Sequence, residues 1–280
     1  ALSSAASDVY KRQVRQMIPK IIHYCWFGGN PLPELAQKCI ASWKKYCPDY
    51  EIKEWNENNF DLNCNDYVRE AYGEKKWAFV SDVARLYAMV EEGGIYMDTD
   101  VEVVQSLDSL LQYHAVSGFE SDTAIPTGLM ACEKGNPMFK EFLDEYEKAH
   151  FVFPDGTIDK TTNVVRITNT CLKYGFVPNN QKQTINTFTL LPKDYLCPKN
   201  NRTGELEISD NTLTIHHFDG SWLSYEERYH NEITRKIHRR IPIIPIGVIS
   251  IICAFVTATK FHGIKAAFCK LGGWIKEKAK

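Results

Sequence analysis

Residues 79–100 read FVSDVARLYAMVEEGGIYMDTD, and the order of elements in this stretch decides the fold. Phe79 to Glu92 has helical periodicity and stops at Gly93-Gly94. Glycine is common just past a helix end because it tolerates positive φ. The apolar run Ile95-Tyr96-Met97 then reads as a short buried strand that delivers two carboxylates, Asp98 and Asp100, at its end. The stretch is therefore helix, Gly-Gly turn, strand, Asp-x-Asp. Paired carboxylates suit a hard divalent cation bound through oxygen, with further coordination positions left for water and phosphate. That chemistry points to an enzyme that handles a nucleotide diphosphate.

The helix before the motif adds to it. Asp82 and Arg85 lie three residues apart, hence on one helical face, with Ser81 beside them. Such a pair is either a surface ion pair contributing under about 1 kcal/mol or a carboxylate that takes sugar hydroxyls beside a guanidinium fork.

Outward from this stretch, short apolar runs alternate with helical ones. Ile18–Trp26 reads as a strand ended by Gly28-Gly29, and Leu35, Cys39, Ile40 and Trp43 recur at helical spacing up to Cys47-Pro48. Tyr50–Trp55 is a second strand, Asn65–Tyr72 a helix, and Val101–Val104 continues as β beyond the aspartates. His114–Glu120 reads as a strand, Pro137–Lys148 and Thr162–Tyr174 as helices, and Leu213–His217 as a late strand. This alternation predicts an α/β fold with a mainly parallel central sheet flanked by helices. Ligands in such sheets bind beyond the carboxyl ends of the strands, where Trp26-Phe27-Gly28-Gly29 and Asp98-Thr99-Asp100 both fall.

Composition bounds the function classes. The chain has 280 residues, 44% of them hydrophobic, enough for one sizeable core and one or two domains. A formal net charge of −2 gives no electrostatic case for nucleic acid. Nine cysteines without a CxxC pair read as buried thiols of a reducing compartment.

The two ends stand apart from this pattern. Residues 1–16 carry no apolar core of a signal peptide and are expected to be a leader not native to the fold, which begins at Met17. A catalytic domain is expected over 17–235 and a basic, hydrophobic membrane-associating segment over 236–280. Within the latter, Ile241–Thr259 is 19 residues without a charge, flanked by Arg235, Lys236, Arg239 and Arg240 before and Lys260, Lys265 and Lys270 after. Three readings stand: a buried core segment interrupted by Pro242 and Pro245, a membrane span, or an in-plane anchor with a basic tail.

Three blocks in order, MIPKIIHYCWFGG (17–29), WAFVSDVARLYAMVEEGGIYMDTDVEVVQSLDSLL (77–111) and IHHFDGSW (215–222), resemble the sugar-binding glycosyltransferases with a DXD motif. That family includes the initiating α-1,6-mannosyltransferase type and bacterial capsular-polysaccharide transferases, with a more distant likeness to the large clostridial glucosylating toxins. The resemblance implies a GT-A-type nucleotide-sugar-binding fold and a divalent metal, Mn²⁺ or Mg²⁺. It implies that Asp100 binds the cation and that Asp98 contacts cation, ribose and sugar, with Arg85 completing the catalytic set. Trp26 would stack on the base where Gly28 leaves room, and Asp82 and Arg85 would hold the sugar. Ser221 and Trp222 would meet the diphosphate; the toxins space that pair two residues apart, whereas here it is adjacent. His216 and His217 point to opposite faces of a strand, so at most one joins the metal, and His217 is the expected one. Thr162-Asn163-Val164 stands where the yeast-type members carry Thr-Gly-Pro, a departure that suggests a bacterial subgroup.

The expected reaction is metal-dependent, retaining transfer of a hexose from a nucleotide sugar to a saccharide or lipid-linked saccharide in cell-surface polysaccharide synthesis. A UDP-sugar is the preferred donor and GDP-mannose the alternative, and the expected location is the cytoplasmic face of the inner membrane. Two other classes compete. An aspartyl-phosphate phosphatase also ends an apolar strand in Asp-x-Asp, but it needs a later acidic pair in a Gly-Asp or Asp-Asp context, and the chain contains neither dipeptide. A non-catalytic sugar-binding protein would be supported by a broken metal pair, and both aspartates are intact.

Overall fold

The computed structural model describes residues 17–220 and 223–268. The expected leader, Ser221, Trp222 and the end of the basic tail lie outside the described residues. The chain divides into two compact units, one reaching Pro198 and including Glu207–His217, the other built from Lys199–Leu206 and the chain from Phe218 onward. The expected domain boundary at 235/236 falls inside a helix of the second unit.

The first unit is built on a seven-stranded sheet ordered β2-β1-β3-β6-β5-β8-β7. Its strands are β1 (Ile21–Cys25), β2 (Glu51–Trp55), β3 (Gly94–Met97), β5 (Ala115–Gly118), β6 (Leu129–Cys132), β7 (Gln183–Ile185) and β8 (Phe188–Leu191). Five of the seven run in one direction, and β6 and β7 are reversed. The mainly parallel α/β architecture expected from the alternation is therefore present. Two short strands leave this sheet: β4 (Val101–Val103) pairs antiparallel with β9 (Thr214–His216). The β continuation expected after the aspartates is real, but it turns out of the main sheet.

The strand alternation divides the core. Tyr96, Met130, Cys132 and Ala115 pack on one side with Val80, Val83, Leu86 and Phe139. Ile95, Met97, Ala131 and Val116 pack on the other with Trp43, Leu107 and Val101. With both faces covered, strands become continuous apolar runs without the polar alternation of a half-exposed sheet. Of the helices, α1 (Glu34–Tyr46), α2 (Asp66–Gly73) and α3 (Trp77–Glu91) lie close to their expected limits. Asn65 caps α2 by accepting from the Val68 amide at 2.8 Å. The helix α4 (Pro137–Asp144) is shorter than the expected 137–148, and α5 spans Asn163–Lys173. The short α6 (Lys193–Leu196) leads toward β9. None of the eight described cysteines is bonded to another, and all but Cys64 are buried.

The turn from α3 into β3 is tightly specified. Gly93 and Gly94 have φ of +70° and +107°, and a Cβ on Gly93 would sit 2.5 Å from the Lys134 amide nitrogen. The Gly93 carbonyl accepts from buried His23 Nε2 at 2.8 Å, and the other nitrogen of that ring accepts from Trp55 Nε1 at 3.0 Å. Burial pushes the His23 pKa below its ordinary value, so the ring stays neutral and bridges β1, β2 and the turn.

In the second unit, α7 (Tyr225–Arg240) opens with a capping box in which Ser224 and Glu227 bond each other's backbone. The apolar segment expected over 241–259 resolves into a turn and then α8 (Ile246–His262), with Pro245 at its N-cap. Proline is tolerated there because the first amides of a helix lack partners in any case. No helix among the described residues is long and apolar enough to cross a membrane.

The Gly-Gly turn carries a direct stability consequence. Gly93→Ala forces an L residue into positive φ and against backbone atoms, and the expected loss is about 2–4 kcal/mol. Urea unfolding of the variant against the parent chain measures it.

Candidate active site

Three strands of one direction, β1, β3 and β5, end at a common edge of the main sheet. Asp98 follows β3 directly, and its amide donates to the Gly128 carbonyl at 2.8 Å just before the reversed strand β6. The chain then turns tightly, with the Val101 amide donating to the Asp98 carbonyl at 3.0 Å. That turn swings Asp100 toward the small sheet.

Beneath the turn lies a buried charge cluster. The Arg85 side chain is 6% exposed and that of Asp82 12%, so the pair is no surface ion pair. Arg85 Nη2 meets Asp82 Oδ1 at 3.1 Å and Nη1 meets Asp98 Oδ1 at 3.2 Å. Nη1 also donates to the Thr127 carbonyl at 2.8 Å and Nε to the Ser81 carbonyl at 3.2 Å. The guanidinium packs 4.6 Å from the centre of the Tyr96 ring, and the Tyr96 hydroxyl donates to Asp98 Oδ1 at 2.9 Å. Burial pushes the Asp82 carboxyl up to about 6 despite the opposing pull of Arg85. Asn163, at the start of α5, donates from Nδ2 to the Asp82 carbonyl at 3.0 Å and ties that helix to α3.

The histidine beside the aspartates is His216. Its Nε2 lies 3.2 Å from Asp100 Oδ1. Single ligand atoms of Asp98, Asp100 and His216 all lie within 4.8 Å of one another. His217, the histidine expected at the metal, points the other way and meets Glu102 Oε2 through Nε2 at 2.9 Å. Register explains the exchange. His216 pairs with Val101 and Ile215 with Glu102, so Glu102 and His217 share one face of the small sheet while His216 takes the other. Asp100 sits in the turn before β4, outside the strand alternation, and can reach across to His216. Burial alone would lower the His216 pKa, but the Asp100 carboxylate outweighs it and raises the value well above the ordinary one.

Four neighbours of this cluster carry no motif in the sequence. The buried Cys197 thiol lies near the His216 ring, and burial raises the thiol's pKa while the imidazole pulls it back. Glu120, just past β5, feels both His216 and Asp98, and burial raises its pKa. The Thr127 carbonyl anchors Arg85. A Cβ on Gly128 would lie 2.8 Å from the His216 ring and 3.4 Å from Asp98 Oδ2, so only glycine leaves room for both.

The remaining expected residues fall as follows. Trp26 stands at the same edge after β1, part-exposed, with Nε1 donating to the Asn30 carbonyl at 2.6 Å. Gly28 has φ of +91°, and the space beside it is filled by the indole of Trp77, 2.5 Å from a virtual Cβ. Gly28 therefore lets the Trp77 indole approach the backbone, while a Cβ on Gly29 would meet nothing within 4 Å. Ser221 and Trp222 lie outside the described residues.

Residues 33–116 match the family model described as "Glycosyltransferase sugar-binding region containing DXD motif". The chain carries that region. The match contains Asp82, Arg85, Asp98 and Asp100 together, and it ends before His216. The chain is 32% identical over 144 residues to "Inositol phosphoceramide mannosyltransferase 3" of Schizosaccharomyces pombe, covering 49% of this chain and 40% of that protein. It is 23% identical over 167 residues to "Subversion of eukaryotic traffic protein A" of Legionella pneumophila, covering 48% of this chain and 26% of that protein. The chain thus spans well under half the length of these relatives. Among solved structures, "PaToxG Glycosyltransferase" is similar at 20% identity with a TM-score of 0.44, covering 61% of this chain and 76% of that one.

An oxygen-and-imidazole donor set of this kind suits Mn²⁺ or Mg²⁺. The two histidines give the sharpest test. His216→Ala is expected to weaken Mn²⁺ binding at least about tenfold, while His217→Ala leaves it within about twofold, as isothermal titration of each variant would measure.

Proposed function

We propose that the protein is a metal-dependent glycosyltransferase that moves a hexose from a nucleotide sugar to a saccharide or lipid-linked acceptor. The observation that carries this reading is the Asp98–Asp100–His216 cluster at the carboxyl edge of the sheet, set directly over the buried Asp82–Arg85 pair. The family match to the sugar-binding region supports it.

The transfer breaks the bond between the sugar's anomeric carbon and the diphosphate and forms one to an acceptor oxygen. Asp98, Asp100 and His216 would hold the divalent cation, which when bound supplies Lewis-acid stabilisation of the charge on the leaving diphosphate. Arg85 fixes the orientation of the Asp98 carboxylate from below. The Asp82 carboxylate, largely buried and paired with Arg85, would accept from sugar hydroxyls; burial pushes its pKa up to about 6, so it loses its charge as pH falls below that value. Trp26 would stack on the base. Retention of anomeric configuration belongs to this proposal, as does placement at the cytoplasmic face of a membrane.

Two donors are in view. A UDP-hexose is the donor expected first. GDP-mannose is favoured by the relatives, since the fission-yeast protein is named a mannosyltransferase.

Hydrolysis and transfer would be measured with UDP-glucose, UDP-galactose, UDP-N-acetylglucosamine and GDP-mannose, each with Mn²⁺, with EDTA and with Asp100→Ala. The proposal expects one donor to turn over only with metal and Asp100, with a rate loss of at least about a hundredfold in the variant. Binding of none of the four in the presence of metal would contradict it.

A further inference from the structure

The helix α8 is apolar on all sides, and such helices are normally enclosed by protein or lipid. Among the described residues of the second unit, one of its sides is covered. Ile249, Cys253, Thr257 and Ala258 are buried where it packs with α7. Val248, Ile252 and Val256 recur every four residues and form an exposed stripe along another side. Ile243 in the turn before the helix, and Ile264 and Phe268 after it, extend the apolar surface, and these six side chains are between 42% and 88% exposed.

The chain from Ile233 through the stripe is basic, while the acidic residues of α7 lie earlier on that helix, where Glu226 meets His262 at 2.7 Å. Between Ile233 and Phe268 the chain has six Lys or Arg residues (Arg235, Lys236, Arg239, Arg240, Lys260 and Lys265) and no Asp or Glu. Lys236, Arg239, Arg240, Lys260 and Lys265 are solvent-exposed. Lys260 places its ammonium 3.5 Å from the centre of the Tyr229 ring, a cation–π contact that holds this charge beside α7.

The geometry points to an anionic lipid bilayer as the occupant of this face, with α8 lying in the plane of the interface and its stripe among the acyl chains. At 17 residues the helix is about 25 Å long, short of the roughly 30 Å hydrocarbon layer, which suits lying in the surface over crossing it. Apolar insertion and basic residues act together on an anionic headgroup layer. A second copy of the chain fits less well. A two-fold contact through this stripe brings each patch onto its own equivalent, setting the predominantly basic residues 235–265 against one another, with Glu226 of α7 already engaged by His262.

Co-sedimentation of the full chain with vesicles of phosphatidylcholine alone, and of phosphatidylcholine mixed with phosphatidylserine, tests the assignment independently of any donor sugar. The chain is expected to bind the mixed vesicles and to release as salt rises. The paired changes Ile252→Asp with Val256→Asp, and separately Arg239→Ser with Arg240→Ser, should each weaken binding about tenfold or more. All four positions are exposed, so the thermal melt should stay unchanged, and the arginine pair remains a test if the apolar pair unfolds. Failure to bind mixed vesicles, or equal binding to neutral ones, would overturn the proposal. So would self-association that Ile252→Asp dissolves in a chain that ignores vesicles.

Discussion

The Arg85 guanidinium is the point on which the first unit's chemistry depends. It is enclosed, and it holds two carboxylates that come from different elements, Asp82 on α3 and Asp98 at the end of β3. Burying Arg85 and Asp82 is expensive, and the arrangement persists because the guanidinium is paired with Asp82 and with the part-exposed Asp98 and also donates to the Ser81 and Thr127 carbonyls. Removing one partner from such a group typically costs about 3–5 kcal/mol, because the remaining charge stays buried and uncompensated. The helix, the strand and the loop before β6 are therefore joined by a single side chain directly below the Asp-x-Asp turn.

That join explains how a short turn can present ligands in fixed positions. Asp98 is held by Arg85, the Tyr96 hydroxyl and its own amide bond to Gly128. Asp100 is met by His216, brought in by the pairing of β4 with β9, and its carbonyl accepts from the His217 amide at 2.9 Å. Residues far apart in the chain thus converge where the strand direction concentrates ligand-binding loops. Glycine at 128 is the steric condition for this convergence, since any side chain there would strike the His216 ring.

Much of this was legible in the sequence because it is local. The helix, the Gly-Gly turn, the strand and the two aspartates occupy one continuous stretch, and periodicity and glycine position suffice to read it. Burial of Asp82 and Arg85 was open between two readings, since spacing places them on one face without saying which face is inside. The choice between His216 and His217 needed the register of β4 against β9, a pairing between residues more than a hundred positions apart. Strand alternation alone could say that the two rings diverge. The strands β6, β7 and β8 escaped notice because they are three or four residues long, and β6 and β8 are buried throughout, with no alternation to betray them. Glu120, Cys197 and Gly128 reach the site through tertiary contacts only, and no local pattern marks them.

The central claim is that a divalent cation at the Asp-x-Asp turn meets both this chain and a nucleotide diphosphate. Pulsed electron paramagnetic resonance of Mn²⁺ with the chain and a bound nucleotide sugar tests it most directly. The account predicts phosphorus coupling from the diphosphate together with nitrogen coupling from one imidazole, the latter lost in His216→Ala and kept in His217→Ala. A spectrum that stays that of hydrated Mn²⁺, with neither coupling, would contradict it.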